Sequence, residues 1–449
     1  MSPDVHAVDP GRCGVISSQV APRRELILRA AVQQRLLDPD GALLAGFVDF
    51  DAVATRVGSL HSAFPSSSQV LHTFAAKANC LVPVLSELRA LGMGCEVASP
   101  GELAQALAAG FAPEQIVFDS PAKTRAELRH ALDLGVAVNA DNFQELDRIG
   151  EILKARSTPS ASRIGIRINP QVGGGSIAAM STATATSKFG IALDDQGSQE
   201  RLVRAYRERP YLNWVHTHVG SQGVSLDLIA QGIAKAVAFA DGVNAELGRR
   251  QVTGIDIGGG LPVNFTSDET APGFDDYVAA LHEHAPALFT GGYDIVTEFG
   301  RAVLAKDGFT AAYVEYTKTS GGRRIAITHA GAQVAARTVF MPDSWPLRIG
   351  VHDPSGAHKN SEPVVQDVAG PCCFAGDLVA TGRELPLLEP GDIVTLLDTG
   401  AYYFSTPFHY NSLPEPAVYG VRVDASGDVH FQVLRPAQTI DQLLARHGH

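Results

Sequence analysis

The fold is decided by one stretch, Val70-Leu71-His72-Thr73-Phe74-Ala75-Ala76-Lys77-Ala78-Asn79. It opens with an apolar run that is typical of a buried β-strand, and the run ends abruptly on Lys77. A lysine in this place must keep its ammonium group in water or use it chemically, because an unpaired buried charge is costly. Two interpretations are open: the side chain extends to the surface, or its amine condenses with a carbonyl compound.

Short apolar runs alternate with amphipathic stretches from about residue 43 onward. We predict eight strands, at residues 70–76, 94–98, 115–119, 136–139, 164–169, 214–219, 254–257 and 294–298. We predict helices between them, at residues 82–91, 100–109, 123–134, 142–155, 226–247 and 274–288. Strands that alternate with helices pair in parallel, and eight such units over about 250 residues indicate a closed (β/α)₈ barrel. An open doubly wound sheet is the structural alternative.

The pattern changes after about residue 305, where strands follow one another without long helices between them. We predict these strands at residues 303–316, 324–328, 392–398, 418–423 and 429–434, separated by turn signals. The sequence therefore predicts an N-terminal segment over residues 1–42, an α/β barrel over 43–305 and a C-terminal all-β domain over 306–449. A loop at 171–187, rich in glycine and serine, interrupts the barrel, and a long loop inside a compact domain is usually functional.

Composition and charge narrow the possible partners. The net charge of −12 argues against nucleic acid and against an anionic membrane surface, and no apolar run is long enough to span a bilayer. Five scattered cysteines, an odd number, make a disulfide framework improbable and favour a cytoplasmic protein; they are Cys13, Cys80, Cys95, Cys372 and Cys373. Neither Cys-x-x-Cys nor His-Glu-x-x-His occurs, so we expect no metal site.

Polar residues and glycines recur where the predicted barrel strands end. In a parallel barrel, the catalytic residues lie at this edge. Each one alone has an ordinary structural explanation, such as a turn, a core histidine or an ion pair. Their common position at one rim is not explained in that way. These residues are Lys77, Glu96, Ser99, Arg167, Asn169, His218, Gly220, Ser221, Gly258, Gly259, Gly260, Glu298, Gly300 and Arg301.

Together these residue types meet the needs of pyridoxal 5′-phosphate. Lys77 supplies an amine for a covalent link, and the amides of the glycine run with the Ser221 hydroxyl can hold a phosphate. The Glu298 carboxylate can keep the pyridine nitrogen protonated, which makes the ring an electron sink. The imidazole of His218 can lie on the face of the ring. The sequence therefore favours a pyridoxal-phosphate enzyme.

Nine stretches between about residues 70 and 405 carry a family resemblance. They are Phe74-Ala75-Ala76-Lys77-Ala78-Asn79, Cys95-Glu96-Val97-Ala98-Ser99-Pro100-Gly101-Glu102-Leu103, Arg167-Ile168-Asn169-Pro170, Ser187-Lys188-Phe189-Gly190-Ile191, His218-Val219-Gly220-Ser221-Gln222, Asp256-Ile257-Gly258-Gly259-Gly260-Leu261, Glu298-Phe299-Gly300-Arg301, Gly370-Pro371-Cys372-Cys373 and Gly400-Ala401-Tyr402. In this order they resemble the fold-type III pyridoxal-phosphate decarboxylases, the family of diaminopimelate and ornithine decarboxylases, and most closely the diaminopimelate branch.

The resemblance implies an alanine-racemase-like barrel, with a C-terminal β domain that the N-terminal segment joins. It implies three catalytic residues: Lys77 binds the cofactor, His218 stacks on its ring, and Cys373 donates a proton after carbon dioxide leaves. Cys373 would act from the second subunit of a head-to-tail homodimer with shared active sites. The implied cofactor-binding residues are Lys77, Glu96, Arg167, His218, Ser221, Gly258, Gly259, Gly260, Glu298, Gly300, Arg301 and Tyr402.

The chain departs from the family around the far end of the substrate. Phe374 stands where the family has an acidic residue that binds a distal ammonium, and Met341 stands where the diaminopimelate branch has a tyrosine. Arg337, which lies near the distal carboxylate in that branch, is kept. The implied substrate-binding residues are Arg301, Arg337, Met341, Phe374 and Tyr402. We therefore expect a pyridoxal-phosphate-dependent decarboxylase of an amino acid or amino-acid conjugate, with an altered distal substrate pocket.

Three alternatives stay open. The first is a genuine decarboxylase of diaminopimelate or another diamino acid, in which Asp377 or Glu362 supplies the missing carboxylate. The second is a pyridoxal-phosphate racemase, which Cys373 and Glu298 oppose. The third is a non-catalytic barrel that only binds a ligand, which the additional β domain opposes.

Overall fold

Two nine-stranded sheets form the framework of the protein. This computed structural model describes residues 17–448, so residues 1–16, among them Cys13, and His449 lie outside the described residues. The predicted N-terminal segment is therefore described only from residue 17. Helix α1 (Ser17–Gln33) opens the described chain, and strand β1 (Leu44–Asp49) follows it.

The first sheet is a barrel. Its strands are β2 (Val70–Ala75), β3 (Gly94–Val97), β4 (Ile116–Asp119), β5 (Ala137–Ala140), β6 (Ile164–Asn169), β7 (Ile191–Ala192), β8 (Leu212–His216), β9 (Gly254–Asp256) and β10 (Asp294–Phe299). Eight of them pair in parallel in the order β5-β4-β3-β2-β10-β9-β8-β6, and β7 is a short addition to β6. Because β5 also pairs with β6, the sheet closes. This closure confirms the predicted (β/α)₈ barrel and excludes the open sheet.

Helices surround the barrel and connect its strands. They are α2 (Phe50–Ala63), α3 (Val82–Ala90), α4 (Pro100–Ala108), α5 (Arg125–Leu134), α6 (Phe143–Lys154), α7 (Ser198–Glu208), α8 (Leu226–Leu247), α9 (Phe274–His284), α10 (Ala287–Thr290) and α11 (Arg301–Leu304). Side-chain caps begin several of them: the Ser99 oxygen accepts from the N–H of Glu102, and Asn142 does the same at α6. Among residues 17–448, none of these helices is both long and apolar enough to cross a bilayer.

The second sheet belongs to the C-terminal half of the chain. Its strands are β11 (Gly308–Ser320), β12 (Arg323–Thr328), β13 (Ile349–His352), β14 (Pro363–Ala369), β15 (Leu378–Pro386), β16 (Ile393–Leu397), β17 (Ala417–Val423) and β18 (Val429–Arg435), with helices α12 (Ala332–Phe340) and α13 (Ile440–Arg446). The main path runs β15-β14-β12-β11-β1-β17-β18, and β16 pairs with β11 and β13. Helix α1 packs on this sheet, where Ile27 and Leu28 are buried beside Phe47.

Two segments near the domain boundaries differ from the sequence prediction. Strand β1 pairs with β11 and β17, so it lies in the second sheet, whereas the predicted barrel began at residue 43. Residues 303–307 are not the start of a strand, because α11 and a 3₁₀ turn precede β11. Val303 and Leu304 are fully buried, and a short buried apolar run has the same composition in a helix as in a strand.

Candidate active site

Lys77 lies just past the end of β2, in the tight turn Ala76–Ala78. Its Nζ donates to Oε2 of the buried Glu96 at 2.7 Å, and the lysine side chain is 46% exposed at the open barrel mouth. Burial acts to lower the pKa of Lys77, but the carboxylates of Glu96 and Glu298 together raise it above its ordinary value. Lys77 is therefore an ammonium in the free chain, with a proton acceptor in contact.

The glycine run after β9 packs against the segment that carries His218. The N–H of Gly259 donates to Nδ1 of His218 at 3.1 Å. Gly258 and Gly260 have positive φ angles of 66° and 105°. A Cβ at Gly259 would lie 2.3 Å from the carbonyl oxygen of Glu298, so no side chain fits there. The N–H of Gly258 also donates, to Oδ1 of Asp256 at 3.0 Å, so of the three amides only that of Gly260 has no acceptor within residues 17–448. Strand β8 also ends earlier than predicted, at residue 216 rather than 219, which places His218 in the loop.

Glu298 is buried on β10, and its Oε1 has no hydrogen-bond partner among the described residues. Burial raises the pKa of Glu298 well above its ordinary value, and the nearby carboxylates of Asp256 and Asp119 raise it further. Buried carboxyl oxygens are nearly always paired, so an unpaired one marks a place where a ligand donor belongs.

Two arginines flank the same pair of aromatic rings. The guanidinium of Arg301 lies 4.5 Å from the ring centre of Trp345 and 4.6 Å from that of Tyr402. The guanidinium of Arg337 lies 5.2 Å and 4.3 Å from the same two rings. Burial lowers the pKa of Arg301 to about 10, and its Nε and Nη1 have no partner in the described chain. Trp345 was not predicted, because no motif contains it.

The loop that carries Tyr402 is attached to the lysine turn. The N–H of Tyr402 and the hydroxyl of Ser405 both donate to the carbonyl oxygen of Ala78, at 2.8 and 3.0 Å. The side-chain amide of Asn79 donates to the carbonyl oxygen of Gly400 at 3.1 Å. Tyr402 has a positive φ of 67°, which is uncommon for a residue with a side chain. The β domain therefore positions Tyr402 at the barrel mouth.

Four other predicted site residues lie elsewhere around the barrel mouth or near its edge. The Arg167 guanidinium, at β6, stacks 4.4 Å from the ring centre of Phe189. The N–H of Ser221 donates to Met180 in the predicted loop. A Cβ on Gly300 would lie 2.9 Å from that of Ala78, so Gly300 packs directly against the lysine turn. Met341 follows α12 and is 45% exposed.

Cys373 and Phe374 lie apart from the group around Lys77, in the loop between β14 and β15. Cys373 is exposed, and its N–H donates to Oδ1 of Asn411 at 2.7 Å. Its neighbour Cys372 is buried, and burial raises the pKa of that thiol to about 11. Phe374 stacks on Phe340, with ring centres 5.6 Å apart. No hydrogen bond or aromatic contact within residues 17–448 joins this pair to the Lys77 turn.

Comparison with known proteins decides the family. A model described as "Pyridoxal-dependent decarboxylase, pyridoxal binding domain" matches residues 50–305, more than half of the 449 residues. The chain belongs to the pyridoxal-dependent decarboxylases. It is accordingly a carboxy-lyase that uses pyridoxal phosphate, as the sequence predicts.

Relatives place the decarboxylase in the diaminopimelate branch. It is 33% identical over 380 residues to diaminopimelate decarboxylase of Pseudomonas fluorescens, which covers 83% of this chain and 85% of that protein. It is 32% identical over 402 residues to the Helicobacter pylori enzyme, with 88% and 93% covered. The crystal structure of a Helicobacter pylori diaminopimelate decarboxylase complexed with L-lysine aligns with a TM-score of 0.80 at 28% identity, covering 93% of this chain and 100% of that one.

The mouth of the decarboxylase barrel fits pyridoxal phosphate. The cofactor carries an aldehyde, a phosphate and a basic ring nitrogen. The structure offers an amine at Lys77, the Gly260 amide, which has no acceptor within residues 17–448, and the unpaired Oε1 of Glu298. Each chemical group of the cofactor thus has a complementary protein group on the same rim.

Proposed function

We propose that this enzyme decarboxylates an amino acid or amino-acid conjugate whose far end offers a carboxylate or another acceptor and no free ammonium. One observation carries the proposal: Arg301 and Arg337 lie against the same two rings, and no carboxylate pairs with either guanidinium in the described chain. Two such cations close together need anionic partners. A substrate with carboxylates at both ends supplies them.

The cofactor-binding residues would act as follows. Lys77 would hold pyridoxal phosphate covalently, after passing its proton to a base such as Glu96. The glycine run, through the amide of Gly260, and the hydroxyl of Ser221 would bind the phosphate, while His218, held by Gly259, would lie on the ring. When bound, the cofactor withdraws the electron pair that carbon dioxide leaves behind.

The positions of Asp377 and Glu362 argue against either of them as a replacement for the missing acidic residue at Phe374. The carboxylate of Asp377 already accepts from the N–H groups of Ala332 and Cys372, at 2.6 and 2.7 Å, and is buried. Glu362 precedes β14, whose seven residues at about 3.3 Å each separate it from the Phe374 loop by roughly 23 Å. This argues against both carboxylates that the diamino-acid alternative required.

Phe374 is also part of an aromatic group that presents rings and no counter-charge to a substrate ammonium. Its ring lies 5.6 Å from Phe340 and 5.3 Å from Tyr410, and Phe340 lies 5.4 Å from Phe408. A substrate ammonium placed against these rings would lose a charge-assisted hydrogen bond, worth about 1.5–3 kcal/mol. A cation–π contact would return only about 0.5–2 kcal/mol.

We further propose that the enzyme is a homodimer in which Cys373 completes the site of the partner subunit. The exposed thiol of Cys373 and the exposed rim of Phe340 and Met341 support this arrangement, because apolar side chains at a surface favour a protein partner. Cys373 would then donate a proton to the reacting carbon.

A second candidate substrate is diaminopimelate itself. The relatives reported above are named diaminopimelate decarboxylases. The resemblance in sequence also implies that Arg337 corresponds to an arginine of that branch. This candidate needs a different group to neutralise the distal ammonium. The first candidate does not, because its substrate has no such ammonium.

The substrate proposal predicts the effect of Phe374→Glu. For the wild-type enzyme we expect kcat/KM for meso-diaminopimelate to be lower than for 2-aminopimelate, which keeps the distal carboxylate and lacks the ammonium. Phe374→Glu should raise the ratio of the two kcat/KM values by about 10- to 150-fold, the equivalent of 1.5–3 kcal/mol. Carbon dioxide release from both compounds, and from acylated diamino acids, is the measurement.

Phe374→Gln is the matched control, because it has the size of glutamate without its charge. It should leave the ratio within about threefold of wild type, since it offers no counter-charge. If the wild type decarboxylates meso-diaminopimelate efficiently and Phe374→Glu brings no gain, diaminopimelate becomes the substrate and the first candidate is rejected.

A further inference from the structure

Four ionisable side chains lie together inside the barrel, and only one of them belongs to the predicted site. Asp119, His216, Asp256 and Glu298 come from β4, β8, β9 and β10 and are all buried. One atom from each residue, either a carboxylate oxygen or a ring nitrogen, lies within 4.8 Å of the corresponding atoms of the other three. Three carboxyl groups this close cannot all be ionised in a buried place, so the group must share protons.

His216 lies between two of these carboxyl groups. Its Nδ1 is 3.6 Å from Oδ1 of Asp119, and its Nε2 is 3.8 Å from Oε1 of Glu298. The side chain is 1% exposed, and neither ring nitrogen has a hydrogen-bond partner in the described part of the chain. Because the two nitrogens lie on different edges of the ring, they cannot both bind one metal ion. The geometry is that of a bridge between two carboxyl groups.

The charges of the group are uneven along this bridge. Burial acts to raise the pKa of Asp119, but the facing His216, Glu298 and two cations lower it to about 2. Burial raises the pKa of Glu298 well above its ordinary value, and the same holds for Asp256. Burial lowers the pKa of His216 to about 3. In the free chain Asp119 is therefore ionised, His216 neutral and Glu298 protonated.

We propose that His216 is a positioning residue, whose imidazole bridges Asp119 and Glu298 and thereby holds Glu298 ready to face the ring nitrogen of the cofactor as a carboxylate. Nδ1–H would donate to Asp119, and Nε2 would take the proton from Oε1 of Glu298 when the cofactor binds with its ring nitrogen already protonated, so that the positive ring faces a carboxylate. The resulting imidazolium is flanked by two carboxylates. This inference rests on the proposed function and on the role that the sequence predicts for Glu298, which is to keep the ring nitrogen of the cofactor protonated.

Other charged groups surround the bridge and bear on its proton balance. Asn139 donates to both Asp119 and Asp256, at 3.3 and 3.2 Å, which holds these two carboxyl groups in place. Three cations oppose a charge on the ring of His216; they are Arg167, Lys77 and Lys123. The imidazolium is therefore stable only while both flanking carboxylates are charged. Because Glu298 would face the cofactor as well, the proton on His216 is coupled to the proton on the ring nitrogen of the cofactor.

The test uses holoenzyme reconstituted with pyridoxal phosphate labelled with ¹⁵N in the ring. The ¹⁵N resonance reports the protonation of that nitrogen without any turnover. In the wild type we expect the protonated form. His216→Gln, which can donate to Glu298 but cannot take its proton, should move the resonance toward the unprotonated form. It should also lower kcat by roughly 10- to 100-fold, the usual cost of losing an outer partner. Asp119→Asn removes the carboxylate that faces Nδ1 of His216, at the other end of the bridge. It should move the resonance in the same direction.

His72→Gln is the matched control. His72 is also buried on a barrel strand and also has its pKa lowered to about 3 by burial, but its Nδ1 pairs with the Thr297 hydroxyl at 2.9 Å. It should leave the resonance unchanged. An equal shift in His72→Gln, or no shift in both His216→Gln and Asp119→Asn, overturns the bridge. Glu298→Gln distinguishes the role of Glu298 from the His216 bridge. If Glu298→Gln leaves the resonance unchanged, the role of Glu298 is wrong. If Glu298→Gln shifts the resonance and the His216 and Asp119 variants do not, only the bridge is wrong.

Discussion

Lys77→Ala is expected to abolish decarboxylation and the absorbance of the covalently bound cofactor together. The reason is chemical, because in the proposed function this side chain supplies the amine that condenses with the aldehyde of the cofactor. Activity should fall below detection. Lys77→Arg should do the same, although it keeps a cation beside Glu96, because a guanidinium stays protonated at neutral pH and does not condense. The two variants therefore distinguish the covalent role from the ion pair at 2.7 Å.

Borohydride reduction followed by peptide mapping is the direct measurement. Label should be found on Lys77 in the wild type and on no lysine in Lys77→Ala. Lys188→Ala serves as the control, because Lys188 is exposed and contacts only the face of Phe189, with Nζ 4.8 Å from the ring centre, among the recorded aromatic contacts. Label on another lysine in the wild type would show that the cofactor is bound elsewhere.

Cys373→Ala should lower kcat by roughly 10²- to 10⁴-fold while the cofactor remains bound. This is the range for loss of a general acid, and an ordinary thiol, with a pKa near 8.5, suits that role at neutral pH. Cys372→Ala is the control. Burial raises the pKa of the Cys372 thiol to about 11, and its Sγ lies 3.7 Å from Oε1 of Gln333, inside the β domain. It should retain most of the activity.

Mixing two inactive variants tests whether Cys373 acts across subunits. If Lys77→Ala and Cys373→Ala subunits exchange freely, half of the dimers are mixed, and each mixed dimer has one intact site of two. Activity should recover to roughly a quarter of the wild-type value. Recovery has to be compared with a mixture of Lys77→Ala and Lys77→Arg subunits, which cannot complement. If exchange is verified and nothing recovers, the shared site is rejected.

The barrel was predictable because its strands are short, apolar and buried on both sides. The observed limits of β6 are the predicted ones, and β2 ends one residue earlier than predicted. The sequence did not predict strands β14 and β15. Much of each strand is exposed, and both contain proline or glycine and charged residues. Strand β1 was not predicted, and its residues were included in the barrel domain, because pairing partners more than 250 residues away leave no local signal.

The rim of the site was predictable and its interior was not. Lys77, the glycine run and Glu298 each follow or end an apolar strand, and a strand end is visible in sequence. His216 and Asp119 lie in or at the end of strands that otherwise look apolar. The available signal was a polar residue at a position that should face the barrel interior. The aromatic group around Phe374 could not be predicted, because it joins residues from three separate segments.

The hydrogen bonds from Tyr402 and Ser405 to Ala78 limit how this enzyme can be modified by domain exchange. The residue next to the reactive lysine is held by a loop of the other domain. A chimera that joins this barrel to a foreign β domain would keep every catalytic side chain of the barrel and still lose the support of its lysine turn. A useful crossover therefore has to bring the loop from Gly400 to Ser405 with the barrel, so the working unit is larger than the barrel itself.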